Sequence, residues 1–205
     1  MKYLTIKDAA QDEFTEKRSR FIGYAKPVTT EAEATAFIEE IRKKHWDAKH
    51  NVYAYVLREG NAQRYSDDGE PQGTAGVPTL DVLKKQGVTD CVVVVTRYFG
   101  GILLGGGGLV RAYSHAASIA LQAAGIVEMR SFTSCETTLD YNLYGRLPAI
   151  IAELSGKVID TEFADSVHVK FLIPEEFTDL FAEKFADLTL GKGTFSTGPV
   201  IFDKA

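Results

Sequence analysis

Val92-Val93-Val94-Val95-Thr96-Arg97-Tyr98-Phe99-Gly100-Gly101-Ile102-Leu103-Leu104-Gly105-Gly106-Gly107-Gly108-Leu109-Val110-Arg111-Ala112-Tyr113 is the stretch whose reading decides the fold. An unbroken valine run has no polar face, so it reads as a strand buried on both sides. The strand runs into a glycine-rich loop. After it Tyr113, Ala116, Ala117, Ala120 and Leu121 recur at helical spacing, and Gly125 closes a helix over residues 109–124. Backbone N–H groups at the start of that helix favour an anion. Arg97 and Arg111 add positive charge, and Tyr98 and Phe99 offer ring faces for base stacking. The same residues also fit a plainer reading, in which Gly100, Gly101, Gly105, Gly106 and Gly107 serve packing and the two aromatics are core. The run is not a Walker A loop, because no Lys-Ser or Lys-Thr follows the glycines, and it is no convincing G-x-G-x-x-G dinucleotide fingerprint.

Upstream lies a second glycine-bearing stretch, Arg64-Tyr65-Ser66-Asp67-Asp68-Gly69-Glu70-Pro71-Gln72-Gly73-Thr74-Ala75-Gly76. The polar run from Gly60 to Gly76 is long for a loop in a compact domain, and such loops are often functional. Asp67, Asp68 and Glu70 are close enough in sequence to hold a hard cation such as Mg²⁺. The plainer alternative is a solvated acidic loop whose Asp and Gly residues build turns. His50 opens an apolar run ending at Leu57, a strand in which a lone histidine is more often structural than functional.

Working outward, Glu13 to Lys26 reads as one strand. Thr30 and Glu33 form a capping box before a helix carrying Ala34, Phe37, Ile38 and Ile41. A short helix follows Pro78. Ile126 to Ser131 reads as the boundary between a first domain, 1–128, and a second, 129–205. In the second, Thr133–Asp140 is a strand, Asn142–Ser155 a helix, and 157–163 with 167–173 a hairpin. A helix opening at Pro174 with the stripe Phe177, Leu180, Phe181, Phe185 and Leu188 follows, then a strand over Thr194–Phe202. The order βαββαβ is the ferredoxin-like pattern. The expected fold class is α+β in two domains.

The chain has 205 residues, 45% apolar and 25% charged, as an ordinary folded protein has. Its net charge of −5 is unevenly spread. Residues 1–130 hold 17 basic and 16 acidic side chains, and residues 131–205 hold 6 and 12. A polyanion is expected to meet the first part and be repelled by the second. No run is long enough to span a bilayer. The first residues lack a secretory core, and the two cysteines, Cys91 and Cys135, read as reduced thiols. A cytoplasmic location and no membrane partner are expected.

The run Arg97 to Gly105, with Asp67-Asp68-Gly69-Glu70-Pro71 and Gly73-Thr74-Ala75-Gly76 before it, resembles the signature of the YigZ/IMPACT family. The resemblance implies a first domain similar to the second domain of ribosomal protein S5. It implies a second like the ferredoxin-like domains III and V of elongation factor G. In that factor such a pair faces the ribosome. Eukaryotic members oppose activation of a stress kinase by binding its ribosome-associated activator, and they carry an extra amino-terminal recognition domain of which this chain has no sign. The implied role is therefore in or near translation. Val52 stands where the family often has a Cys, which excludes thiol chemistry there. Gly106 replaces a commoner Thr, and Thr79 a commoner apolar residue.

Binding rather than catalysis is the resulting expectation. The partner is RNA, the ribosome or a translation-linked protein, and the acidic second domain is a possible protein contact. The residues expected to carry binding are His50, Arg64, Asp67, Asp68, Glu70, Gly73, Thr74, Arg97, Tyr98, Phe99, Gly100, Gly101, Gly105, Gly106, Gly107 and Arg111. No catalytic residue and no cofactor is expected, Mg²⁺ on the three carboxylates excepted. The alternative is a phosphate-ligand-binding protein or Mg-dependent enzyme using the glycine-rich loop, since the S5-like fold is shared with small-molecule kinases.

Overall fold

The computed structural model describes all residues, Met1–Ala205. The protein is α+β in two compact units: Tyr3–Glu128, and Met129–Ala205 with Met1–Lys2. After β1 (Lys2–Ile6), the first unit has β2 (Ala10–Glu16), β3 (Ser19–Pro27), α1 (Glu31–Lys44), β4 (His50–Val56), β5 (Gln63–Ser66), α2 (Gly76–Gln86), β6 (Cys91–Tyr98) and α3 (Gly106–Ala124). Its five-stranded sheet runs β2-β3-β6-β4-β5 and is antiparallel throughout.

The valine strand β6 is central and buried on both faces, as its composition requires. Side chains alternate along a strand. Cys91, Val93 and Val95 therefore pack against α2 and α3, with Leu83, Leu109, Tyr113, Ala116 and Ala120. Val92 and Val94 face α1, with Phe37, Ile38 and Ile41. Burial pushes the Cys91 thiol up to about 12 and keeps it protonated. Continuing the alternation, Arg97 falls on the α3 face and Tyr98 on the α1 face.

Several elements differ from the sequence reading, each for a local reason. Glu13–Lys26 is a hairpin, not one strand, because Lys17 (φ 45°) and Arg18 (φ 66°) form its tip. Turns of this kind usually announce themselves with Asn or Gly, and here two long basic residues take the left-handed conformation. Within the expected 60–76 loop, β5 pairs with β4, so Arg64 sits opposite Tyr55 on a strand. α2 begins at Gly76, and Pro78 falls in its first turn, where no N–H is needed.

The second unit has β7 (Ile126–Leu139), α4 (Tyr141–Tyr144), α5 (Leu147–Glu153), β8 (Lys157–Phe163), β9 (Val167–Pro174), α6 (Thr178–Thr189) and β10 (Phe195–Lys204). β7 lies between β10 and β9, and β8 flanks β9, all antiparallel. This is the ferredoxin-like arrangement that βαββαβ order gives. Cys135, Leu147, Ile151, Val169, Phe171, Phe181 and Phe185 form its core. Residues 126–131 lie inside β7, and the two units divide within them, between Glu128 and Met129. Gly145 and Pro148 split the expected 142–155 helix in two. α6 starts at Thr178 rather than Pro174, and Leu180 points outward, 41% exposed. No helix is long and apolar enough to cross a membrane.

β3 and α3 approach each other closely in the first unit. A Cβ at Gly23 would lie 2.4 Å from the Ala116 carbonyl oxygen and 3.0 Å from Ala120 Cβ. Gly23→Ala is therefore expected to lower stability by about 1–3 kcal/mol through overpacking. Urea unfolding is the check, and an unchanged midpoint would contradict this packing.

Candidate functional site

The site is built around one carboxylate. Glu70 comes from the polar loop between β5 and α2, and its side chain is only 4% exposed. Its Oε1 accepts from Arg97 Nη1 of β6 at 2.7 Å and from the Tyr113 hydroxyl of α3 at 2.7 Å. Arg97 is itself 5% exposed, lies between the rings of Phe21 and Phe99, and donates weakly from Nη2 to Ser19 Oγ at 3.4 Å. Burial and the adjacent Glu70 carboxylate push the Tyr113 hydroxyl well above its ordinary value, so it is a fixed donor. The two glycine-bearing stretches thus meet, tied by a buried ion pair and a charge-assisted hydrogen bond.

His50 completes the polar wall. Its Nδ1 lies 2.9 Å from the Asp68 carbonyl oxygen, which can only accept, so Nδ1 carries the proton. Nε2 lies 3.9 Å from Glu70 Oε1. His50, Glu70, Arg97, Phe99, Gly105 and Gly106 line one cleft of about 360 Å³ with Lys49, Pro71, Leu103, Leu104 and Leu109. Thr74 reaches the same edge, its Cγ2 3.9 Å from where a Gly106 Cβ would stand. Next to it a groove of about 220 Å³ holds Arg111 with Phe14, Lys17, Gly108 and His115, and Leu104 lines both.

The remaining expected residues fall elsewhere. Asp67 accepts from the backbone N–H groups of Gly73, Ala75 and Gly76, folding the loop and holding the start of α2. Asp68 accepts from the Asn51 N–H and Arg42. The three carboxylates face three different sets of donors, and no group of three or more His, Cys, Asp and Glu converges as a metal site would. Gly100 lies against the Arg18 backbone, where a Cβ would come within 2.0 Å, and Gly101 turns with φ 83°. Gly107 sits in the first turn of α3 beside Arg111. Arg64 is remote, within 3.8 Å of Glu31 on the α1 side.

Tyr98 leaves the cleft too. Its hydroxyl donates to Asp47 at 2.9 Å and accepts from His45 Nδ1, while His45 Nε2 accepts from Tyr24 at 2.6 Å. This relay requires a neutral His45. Burial, then Lys44, lowers its pKa below the ordinary 6.5. Tyr113, Ser19 and Lys49 were missed by sequence reasoning. Tyr113 gave one signal, a hydroxyl set in a stripe of alanines, which must find a partner once buried.

What these features define is a two-domain α+β protein with a glycine-rich, partly cationic cleft in its first domain. Residues 17–121 match the model of the Impact N-terminal domain, and residues 137–192 match a domain of unknown function, DUF1949. The chain is 41% identical to the IMPACT family member YvyE of Bacillus subtilis, covering 98% of this chain and 93% of that one. It is 35% identical to YigZ of Escherichia coli, covering 85% and 87%. A crystal structure described as that of a hypothetical protein aligns with TM-score 0.61 at 31% identity, over 97% and 98% of the two chains. The chain belongs to the IMPACT family.

Two outcomes follow from the site. Glu70→Gln leaves Arg97 buried without its counter-charge and should destabilise by about 3 kcal/mol, with Glu70→Gln/Arg97→Met recovering part of the loss; a double-mutant cycle by urea unfolding measures this. His45 has a depressed folded pKa, so its contribution is complete above the unfolded value of 6.5 and falls away as pH drops through the folded one. The urea midpoint should therefore fall below about pH 6.5, and this part of the fall should vanish in His45→Gln.

Proposed function

We propose that the first domain is a non-catalytic binding module for RNA, most directly the RNA of the translation machinery. One observation supports this above the others: the strand register gathers cations and exposed rings at one end of the sheet. Arg20 pairs with Tyr98, and His50 with Arg97. The hairpin tip Lys17-Arg18, the Phe99–Gly105 loop, the end of α1 and Lys49 therefore share that end. Lys17, Arg18 and Lys49 are exposed, as are Trp46 at 83% and Phe99 at 48%. Of the carboxylates at that end, Glu13 is paired with Arg20, Asp68 with Arg42 and Glu70 with Arg97, which leaves Glu16 and Asp47 against Lys17, Arg18 and Lys49. Free cations interleaved with rings suit single-stranded nucleic acid, phosphates meeting the cations and bases the rings.

The family supports the same direction, because the eukaryotic IMPACT proteins are translation-related regulators. The near balance of charge over residues 1–130 is no obstacle when the cations are gathered at one end. The acidic second domain repels phosphate and confines a strand to the first.

Fluorescence anisotropy with a short labelled single-stranded RNA tests the proposal. Affinity should fall with salt, by a log–log slope of about 0.7 for each phosphate contacted. Lys17→Glu/Arg18→Glu/Lys49→Glu should weaken binding at least about tenfold and flatten that slope. A salt-independent response, or a triple variant that binds like the wild type, would rule out this surface.

A further inference from the structure

The Tyr24–His45–Tyr98–Asp47 relay lies outside the cleft, and it brackets one residue. His45 and Asp47 both belong to it, and Trp46 stands between them. His45 Nδ1 and Asp47 Oδ1 each lie 2.9 Å from the same Tyr98 hydroxyl, at the end of β6. Tyr24 on β3 holds His45 Nε2 at 2.6 Å. The Ala48 N–H closes the turn onto the His45 carbonyl at 3.0 Å, and the Asn51 side-chain amide reaches the same oxygen at 3.5 Å. Turns between elements are ordinarily among the more mobile parts of a domain. Here both neighbours of Trp46 are tied to the central strand, so the turn is fixed while the indole is left outside it.

Trp46 is 83% exposed, and its ring has no hydrogen-bonding, stacking or cation–π partner. A tryptophan is ordinarily well buried, so a ring held out in this way stands ready for something to cover it. A loose loop would lose part of any stacking gain to the entropy of ordering it, and a turn fixed beforehand does not.

The surroundings narrow what covers the ring. Lys43 and Lys49, three residues before and three after it, are exposed and paired with no carboxylate. Asp47 is held by Tyr98. The carbonyl end of α1 is the negative end of its dipole, but its last turn carries Arg42, Lys43 and Lys44. Lysine is depleted from the cores of protein–protein interfaces, whereas a polyanion with flat apolar faces suits lysines and ring together. The residue after Tyr98 is Phe99, 48% exposed, so the relay also ties this turn to the loop with the second exposed ring.

We propose that Trp46 is the platform on which one unpaired base of a bound strand stacks, with Lys43 and Lys49 on the flanking phosphates and the relay as the positioning network behind it. This rests on the RNA-binding reading and adds a preference to it. A duplex keeps its bases stacked on one another and offers a face to the ring only at its ends.

The single tryptophan of the chain is its own reporter. Titration of the full-length protein with a short single-stranded oligoribonucleotide should quench Trp46 emission in step with the anisotropy of a labelled copy of the strand. A duplex of the same sequence should leave the emission nearly unmoved. Trp46→Ala should weaken the single strand about tenfold and leave the salt slope as it is, since no phosphate contact is lost. Trp46→Phe keeps a ring and should recover most of that loss. Tyr98→Phe removes the hydroxyl shared by His45 and Asp47. It should weaken binding several-fold by itself and not at all beside Trp46→Ala, a coupling that a merely structural role would not show. Urea unfolding checks that Tyr98→Phe is folded, and the quenching and Trp46→Ala arms do not depend on it. The inference is overturned if the strand binds with Trp46 emission unmoved, or if Trp46→Ala binds it as the wild type does; either result leaves the cationic surface standing. An emission maximum that moves with protein concentration alone assigns the ring to a second copy of this chain and overturns it as well. Absence of all RNA binding removes this inference together with the reading beneath it.

Discussion

A single buried carboxylate holds the glycine-rich end of the first domain together. Glu70 reaches from a loop into the space between the central strand and the longest helix, where it meets Arg97 and Tyr113. Neither charge would be tolerated there alone, because an ion removed from water needs a partner of opposite sign and donors for its remaining lone pairs. The ion pair therefore ties together loop, strand and helix at one point. The cleft is the space left where these three elements converge and their small residues keep them from closing it.

The rest of the polar loop serves that arrangement. Asp67 gathers three backbone N–H groups, and Asp68 fixes the start of β4 through Asn51. Such carboxylates act as internal acceptors for a segment that has no ladder of its own. This is why a cluster resembling a cation site in sequence disperses in space. Placing Glu70 inward also requires Asp67 and Asp68 to turn away from it, since three carboxylates sharing one pocket would repel one another.

The central strand divides the unit chemically. Arg97 joins the Glu70 cleft, while Tyr98, one residue on, enters the Tyr24–His45–Asp47 relay on the opposite face. The two faces meet again only at the sheet's end, where the hairpin tip, the Phe99 loop and the end of α1 come together. Cationic and aromatic groups from these three segments and from Lys49, just before β4, are combined there without a large excess of positive charge in the domain.

The valine run, the glycine-opened helix, the capping box at Thr30 and the βαββαβ order of the second domain were legible in the sequence, because each rests on local periodicity or on a residue's own backbone preference. The family kinship was legible too, in two ordered motifs. The Lys17–Arg18 hairpin was not, since neither residue advertises a left-handed turn. Nor was the separation of Tyr98, Arg64, Asp67 and Asp68 from the cleft. Which donor captures a carboxylate, and which face a strand residue takes, depends on groups tens of residues away. Residue identity supplied the candidates; the alternation of the sheet and the need to pair every buried charge chose among them, and those are properties only of the assembled chain.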